Sequence, residues 1–164
     1  MIEMFKKCET EEQKDFIKAN SLIGVEQQPN MYALAASNMI LRGDGKANLY
    51  QGSCFDEAIG KEIKSRANVG MINPPYSQKG DGLHELDFIE YLLEYLDKDG
   101  KGIAIVPISC ALSPHPLKER ILKKHRLDAV MSMPDDLFYP VGVVSCIMVF
   151  TSHVPHKQNP YHKT

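Results

Sequence analysis

The 164-residue chain carries no surplus of positive charge: 19 lysines and arginines face 21 aspartates and glutamates, a formal net charge of −2. That excludes a global field able to hold nucleic acid, so any contact with DNA or RNA needs a local basic patch or a partner that supplies one. No CxxC pair is present. Cys8, Cys54, Cys110 and Cys146 are widely spaced, which reads as reduced thiols in a cytoplasmic protein rather than a disulfide framework. No apolar run approaches the roughly 18–20 residues of a membrane span, and the first residues do not read as a signal peptide, so no membrane role is expected. Tryptophan is absent, and no internal repeat or low-complexity tract suggests a solenoid. His153, His156 and His162 have a loose metal-like spacing, but no cysteine or carboxylate accompanies them. No metal site is expected.

What is present reads as one α/β domain. The length suffices for a single domain with a real core and is short for two. Residues 1–20 are charged with a loose apolar spacing, consistent with one or two surface helices. "SLIGVE" (21–26) reads as a buried strand ending in an acid. Pro29 suits the first turn of a helix running to about residue 41, with Gly43 just past its end. "ANLYQGSCF" (47–55) is a second strand and 56–65 a short helix. "VGMIN" closes a third strand at 68–73. Leu86, Ile89, Leu93 and Leu96 stripe one face of a helix over about 83–96. "IAIVPIS" (103–109), "LDAVMSM" (127–133) and "VVSCIMVF" (143–150) are further strands. A basic helix over about 117–125 is opened by Ser113 and Pro114. His125 ends it, where a positive charge suits the dipole. Residues 151–164 read as a loose polar tail.

Strands alternating with helices, several of them apolar on both faces, predict a mostly parallel sheet covered by helices. No helix of convincing length separates the last two strands, so the last strand is expected to run antiparallel. The cluster Lys118, Arg120, Lys123, Lys124 and Arg126 suits a solvated face or a phosphate-binding stripe. Phe138 and Tyr139 suit a hairpin tip packed on the core or a contact near a ligand. The loop 77–82 suits a segment over a site or an ordinary surface turn.

In open α/β sheets, ligands sit at the carboxyl ends of the strands. Two such ends carry suggestive chemistry. Glu26 follows an apolar strand, where a carboxylate can accept both hydroxyls of a ribose. Asn73-Pro74-Pro75-Tyr76 follows another. The Asn73 side-chain oxygen and the Pro74 carbonyl are two acceptors, and the prolines hold the backbone rigid with φ near −65°. Two convergent acceptors fit a planar amino group with two N–H donors. The Tyr76 ring can stack on the heterocycle that bears it. Such a grip orients an exocyclic amine as a nucleophile without any side chain that must titrate.

Asn73-Pro74-Pro75-Tyr76 at a strand end resembles the [DNS]PP[YFW] motif of S-adenosylmethionine-dependent amino-group methyltransferases, chiefly the DNA adenine-N6 enzymes. Residues 22–43 and 134–150 resemble segments of the modification subunits of type I restriction–modification systems, and the likeness covers roughly 15–155. The resemblance implies a Rossmann-like S-adenosylmethionine-dependent methyltransferase sheet. It implies that Glu26 binds the cofactor ribose, that Ser53, Cys54 and Phe55 line the cofactor, and that Asn73, Pro74, Pro75 and Tyr76 hold a flipped adenine. It implies DNA as substrate, with specificity and restriction subunits as partners. Methylation of RNA amines or of protein glutamine fits the same tetrapeptide, and so does an inert assembly fragment.

The chain departs from the family at two places. Ser53 stands where the family has an aspartate that accepts from the cofactor's adenine amine. Nothing in residues 1–21 matches the glycine-rich loop [DN]PxxGxG that binds the cofactor's methionine end. The expectation is a fragment of a longer modification subunit that lacks a central strand. Its open strand edges would then be closed by direct pairing of the strands ending at Glu26 and Pro74, by a homo-oligomer, or by a strand from another chain. Weak or absent cofactor binding by the chain alone follows.

Overall fold

The computed structural model describes residues 2–43, 48–76, 82–134 and 142–158. They form two compact units, Met1–Ile63 and Lys64–Thr164.

The first unit opens with α1 (Ile2–Phe5) and α2 (Glu11–Asn20). A capping box starts α2: the Thr10 hydroxyl accepts the Gln13 N–H, and the Gln13 side chain accepts the Thr10 N–H, satisfying two donors that a helix start leaves unpaired. Strand β1 (Gly24–Glu26) lies parallel to β2 (Leu49–Gln51), with Glu26 opposite Gln51. The crossover between them is α3 (Pro29–Leu41), with proline in the first turn as expected. A short α4 (Glu57–Ile63) follows β2, its first amides accepted by the Asp56 carboxylate.

The second unit is a four-stranded sheet in the order β3-β4-β6-β5, made of β3 (Val69–Ile72), β4 (Lys101–Pro107), β5 (Arg126–Ser132) and β6 (Ser145–Thr151). β3 and β4 are parallel, and β6 is antiparallel to both its neighbours. The expected antiparallel last strand is therefore present, and it inserts between β4 and β5. Helix α5 (Glu85–Tyr95) and the residue after it bury the whole expected stripe: Leu86, Ile89, Leu93 and Leu96 are at most 3% exposed. Two glycines opposite each other in register, Gly70 and Gly102, flatten the sheet beneath it. A Cβ on Gly70 would lie 2.7 Å from Leu92 Cδ1, and one on Gly102 2.5 Å from Leu93 Cδ2. The leucines thus occupy space that any other residue would fill.

Four local readings are corrected. Strand β4 ends at Pro107, and 108–112 turn into a short helix α6 (Ser109–Leu112). Helix α7 (Pro116–Lys124) starts later than expected: His115, not Ser113, is its cap, its Nδ1 accepting the Leu117 N–H, with Pro116 in the first turn. His125 is not a solvated cation at the helix end. It is fully buried, its Nδ1 accepts the His153 N–H, and burial pushes its pKa down. Residues 151–158 are held rather than loose. Ser152 is buried and donates through its backbone N–H to Gly100 and through its hydroxyl to Asp97. Residues 159–164, with His162, lie outside the described residues.

The basic helix faces acids of its own unit. Arg120 forks onto both oxygens of Glu90, and Lys124 pairs with Glu94, so a four-residue step on α7 matches one on α5. Lys118 donates to the Ala111 carbonyl, and Arg126 to Asp128. Arg120 and Lys124 nevertheless stay about half exposed (55% and 53% of the side chain), so this face is a solvated one with acids paired along it.

Asp128 and His125 each contribute to a pH dependence. Burial alone would raise the Asp128 carboxyl, but hydrogen bonds from Lys101, Thr151 and Arg126 outweigh it and hold it at about 2. A carboxyl depressed on folding adds stability that is present above its unfolded pKa of about 4 and is lost as pH falls towards 2. His125 is depressed too, so its neutral form is favoured by folding. Its contribution is present above the unfolded value of about 6.5 and declines as pH falls below it. Urea unfolding at a series of pH values is expected to show stability falling in both windows. The Asp128→Asn chain should lose the lower step, on the order of 1 kcal/mol after solvent screening.

Candidate active site

The carboxyl ends of β1 and β2 meet in the first unit. The Gly52 N–H donates to the Glu26 carbonyl at 3.0 Å, clamping the residue after β2 to the end of β1. Gly52 has φ +152°, and a Cβ there would lie 2.6 Å from Ile59 Cδ1, so glycine is required at this turn on both counts. The turn carries Ser53, Cys54 and Phe55, all half-buried. The structure therefore brings Glu26 beside the segment expected to line the cofactor.

Each side chain has a definite state. Glu26 is half-buried, and its Oε1 accepts the Gln28 N–H at 2.8 Å, which orients the carboxylate. Ser53 Oγ accepts the Phe55 N–H at 3.2 Å, so part of its capacity is spent on shaping its own turn. Burial pushes the Cys54 thiol up, outweighing backbone hydrogen bonds that pull it down, so it stays neutral and offers an apolar surface. An oriented carboxylate, a hydroxyl and an apolar Cys–Phe wall suit a nucleoside: the acid for ribose hydroxyls, the wall for the base. These residues fit the adenosine end of S-adenosylmethionine.

The second unit presents Asn73-Pro74-Pro75-Tyr76 directly after the last residue of β3. Asn73 is exposed, and its side chain has no hydrogen-bond partner among the described residues. Pro74 is buried and Pro75 exposed, so the dipeptide is wedged at its first ring. Tyr76 is half-buried, and its hydroxyl lies 3.0 Å from Ser145 Oγ at the start of β6. Sequence reading missed Ser145, and nothing in a serine 69 residues away signals such a contact. The loop 77–81 and Phe138 and Tyr139 lie outside the described residues.

One cluster has metal-type donors. His84, Glu85 and Cys110 place ligand atoms within 4.8 Å of one another. However, His84 Nδ1 already accepts the Leu86 N–H as the cap of α5. Burial, followed by the Glu85 charge, pushes the Cys110 thiol up to about 12. His153 and His156 are likewise committed, to the Leu96 carbonyl and the Leu127 N–H.

An α/β chain with a mixed sheet, an acid at one strand end and an amide-proline-proline-aromatic segment at another belongs to the methyltransferase class of folds. The family described as N-6 DNA Methylase matches residues 1–161, and the chain belongs to it. It is 40% identical over 171 residues to the type II restriction enzyme and methyltransferase RM.BcgI of Heyndrickxia coagulans, covering 97% of this chain and 26% of that protein. It is 24% identical over 156 residues to the EcoKI methylase subunit of Escherichia coli, covering 84% of this chain and 29% of that one. The chain thus spans less than a third of these relatives. The fold agrees with crystal structures of the EcoKI M protein (TM-score 0.72, 20% identity, 87% of this chain and 33% of that one). It also agrees with a modification subunit of a type I restriction enzyme from Vibrio vulnificus (TM-score 0.75, 19% identity, 92% and 36%).

Proposed function

We propose that both units are parts of one catalytic domain, and that this domain transfers a methyl group from S-adenosylmethionine to the N6 amine of adenine in DNA within a restriction–modification system. The observation that carries the reading is Asn73-Pro74-Pro75-Tyr76 at the carboxyl end of β3, with the Asn73 side chain exposed and bonded to no described residue. The cofactor would supply an electrophilic methyl on a sulfonium. The chain's work is positional. Asn73 Oδ1 and the Pro74 carbonyl accept the two amine hydrogens, which aims the nitrogen lone pair and raises its electron density. Tyr76 supplies a face for a base taken out of the duplex. Glu26 accepts from the ribose hydroxyls of the cofactor.

Sequence recognition would belong to a specificity subunit and cleavage to a restriction subunit, which suits the formal charge of −2. Among the described residues, β1 pairs only with β2, and β3 only with β4. We propose that a second copy of the chain or a companion polypeptide supplies further strand partners for β1 and β3.

Methyl transfer from labelled S-adenosylmethionine by a methylating polypeptide that carries this chain, measured with DNA, RNA and a glutamine-containing protein as acceptors, tests the substrate class. DNA alone should be labelled. Calorimetry tests the cofactor site: Glu26→Gln should weaken S-adenosylmethionine binding about 10- to 100-fold, the worth of charge-assisted hydrogen bonds of about 1.5–3 kcal/mol. Undiminished affinity would remove Glu26 from the site. Micromolar binding by the unsubstituted chain would rule out an assembly-only fragment.

A further inference from the structure

We infer that Ser145 is a positioning residue for the stacking tyrosine, an inference that rests on the base-binding role proposed for Tyr76. A tyrosine ring has two side-chain torsions, and a ring anchored only at its Cα can rotate away from a ligand. Here both ends are tied. The backbone end follows two prolines, the first of them buried. The hydroxyl end meets Ser145 Oγ at 3.0 Å. Ser145 is itself 1% exposed and stands opposite Pro107 in the β4–β6 ladder, so it is set by the middle of the sheet. Its hydroxyl also faces the Val143 carbonyl at 3.5 Å. That gives the serine proton a direction and leaves its lone pairs to the tyrosine O–H. The tilt of the ring is thus decided by a strand two places away from β3. A phenylalanine at 76 would keep the face and lose the tether.

The test uses the full chain and a single-stranded oligodeoxynucleotide with 2-aminopurine in place of adenine, whose fluorescence is quenched when the base stacks. Ser145→Ala and Tyr76→Phe should each raise the Kd about fivefold, the worth of one hydrogen bond of about 1 kcal/mol. Each should also reduce the quench at saturation, and the double variant should be no worse than either single one. Ser145→Thr, which keeps the hydroxyl, should restore both readouts. Loss of thermal stability alone would leave the saturated quench unchanged, and that result overturns the inference. If Tyr76→Ala loses the quench while Ser145→Ala matches the unsubstituted chain, the tether fails and the stacking role stands. If Tyr76→Ala keeps the quench, or the unsubstituted chain shows none, the stacking role fails and the inference goes with it.

Discussion

Asn73→Ala is expected to lower methyl incorporation into DNA about 10²- to 10³-fold in a methylating polypeptide that carries this chain, the usual cost of removing one preorganised polar group at a reacting centre. The amine would keep one acceptor, the Pro74 carbonyl, and could then rotate about its bond to the ring. Aim and electron density would both be lost. The substitution should barely touch folding: Asn73 is exposed, and its amide bonds to no described residue, so the stability change should stay within about 0.5 kcal/mol. That separation makes the experiment decisive. Labelled S-adenosylmethionine reads the transfer and urea unfolding reads the fold. Undiminished transfer with an intact fold would end the proposal that Asn73 holds the reacting amine.

Leu93→Ala is expected to cost about 3–5 kcal/mol of stability in the second unit, as for other large-to-small changes at sealed core positions. Leu93 is 0% exposed and lies over Gly102, where the absent Cβ makes room for its Cδ2. Removing the isopropyl end of the side chain leaves a hole bordered on the sheet side by a glycine, which has no side chain to move in. The complementary change, Gly102→Ala, should cost about 1–3 kcal/mol by overfilling the same place. Because two units need not unfold together, hydrogen exchange resolved by residue is the suitable measurement. Amides of β3, β4 and α5 should lose protection while those of α2 and α3 keep theirs. Equal losses in both units would show that the chain unfolds as one body.

Much of this architecture was readable from short-range pattern. The run from Pro29 to Leu41 was placed by a proline at one end and a glycine near the other, and the stripe on α5 by its spacing of three and four. All six strands lie within the apolar runs or overlap them closely. The tetrapeptide at Asn73 needed only a strand before it to suggest its chemistry. The basic helix was less legible, because charge content says nothing about which acids lie opposite. Glu90 and Glu94, thirty residues earlier, decided that Arg120 and Lys124 pair with α5 along a solvated face. His125 was misread for a similar reason: helix ends are usually wet, and this one is covered by the turn that carries His153.

The sequence alone determined the element types, the antiparallel sense of the last strand and the identity of the strand-end residues, since each depends on neighbours a few positions away. Only the tertiary structure decided that β6 enters between β4 and β5, that Gly70 and Gly102 sit opposite each other, and that Ser145 meets Tyr76. Those partners are separated by 14 to 69 residues. Pairing at that range is chosen by which arrangement buries the most apolar surface without stranding a backbone amide, and no local pattern encodes that choice.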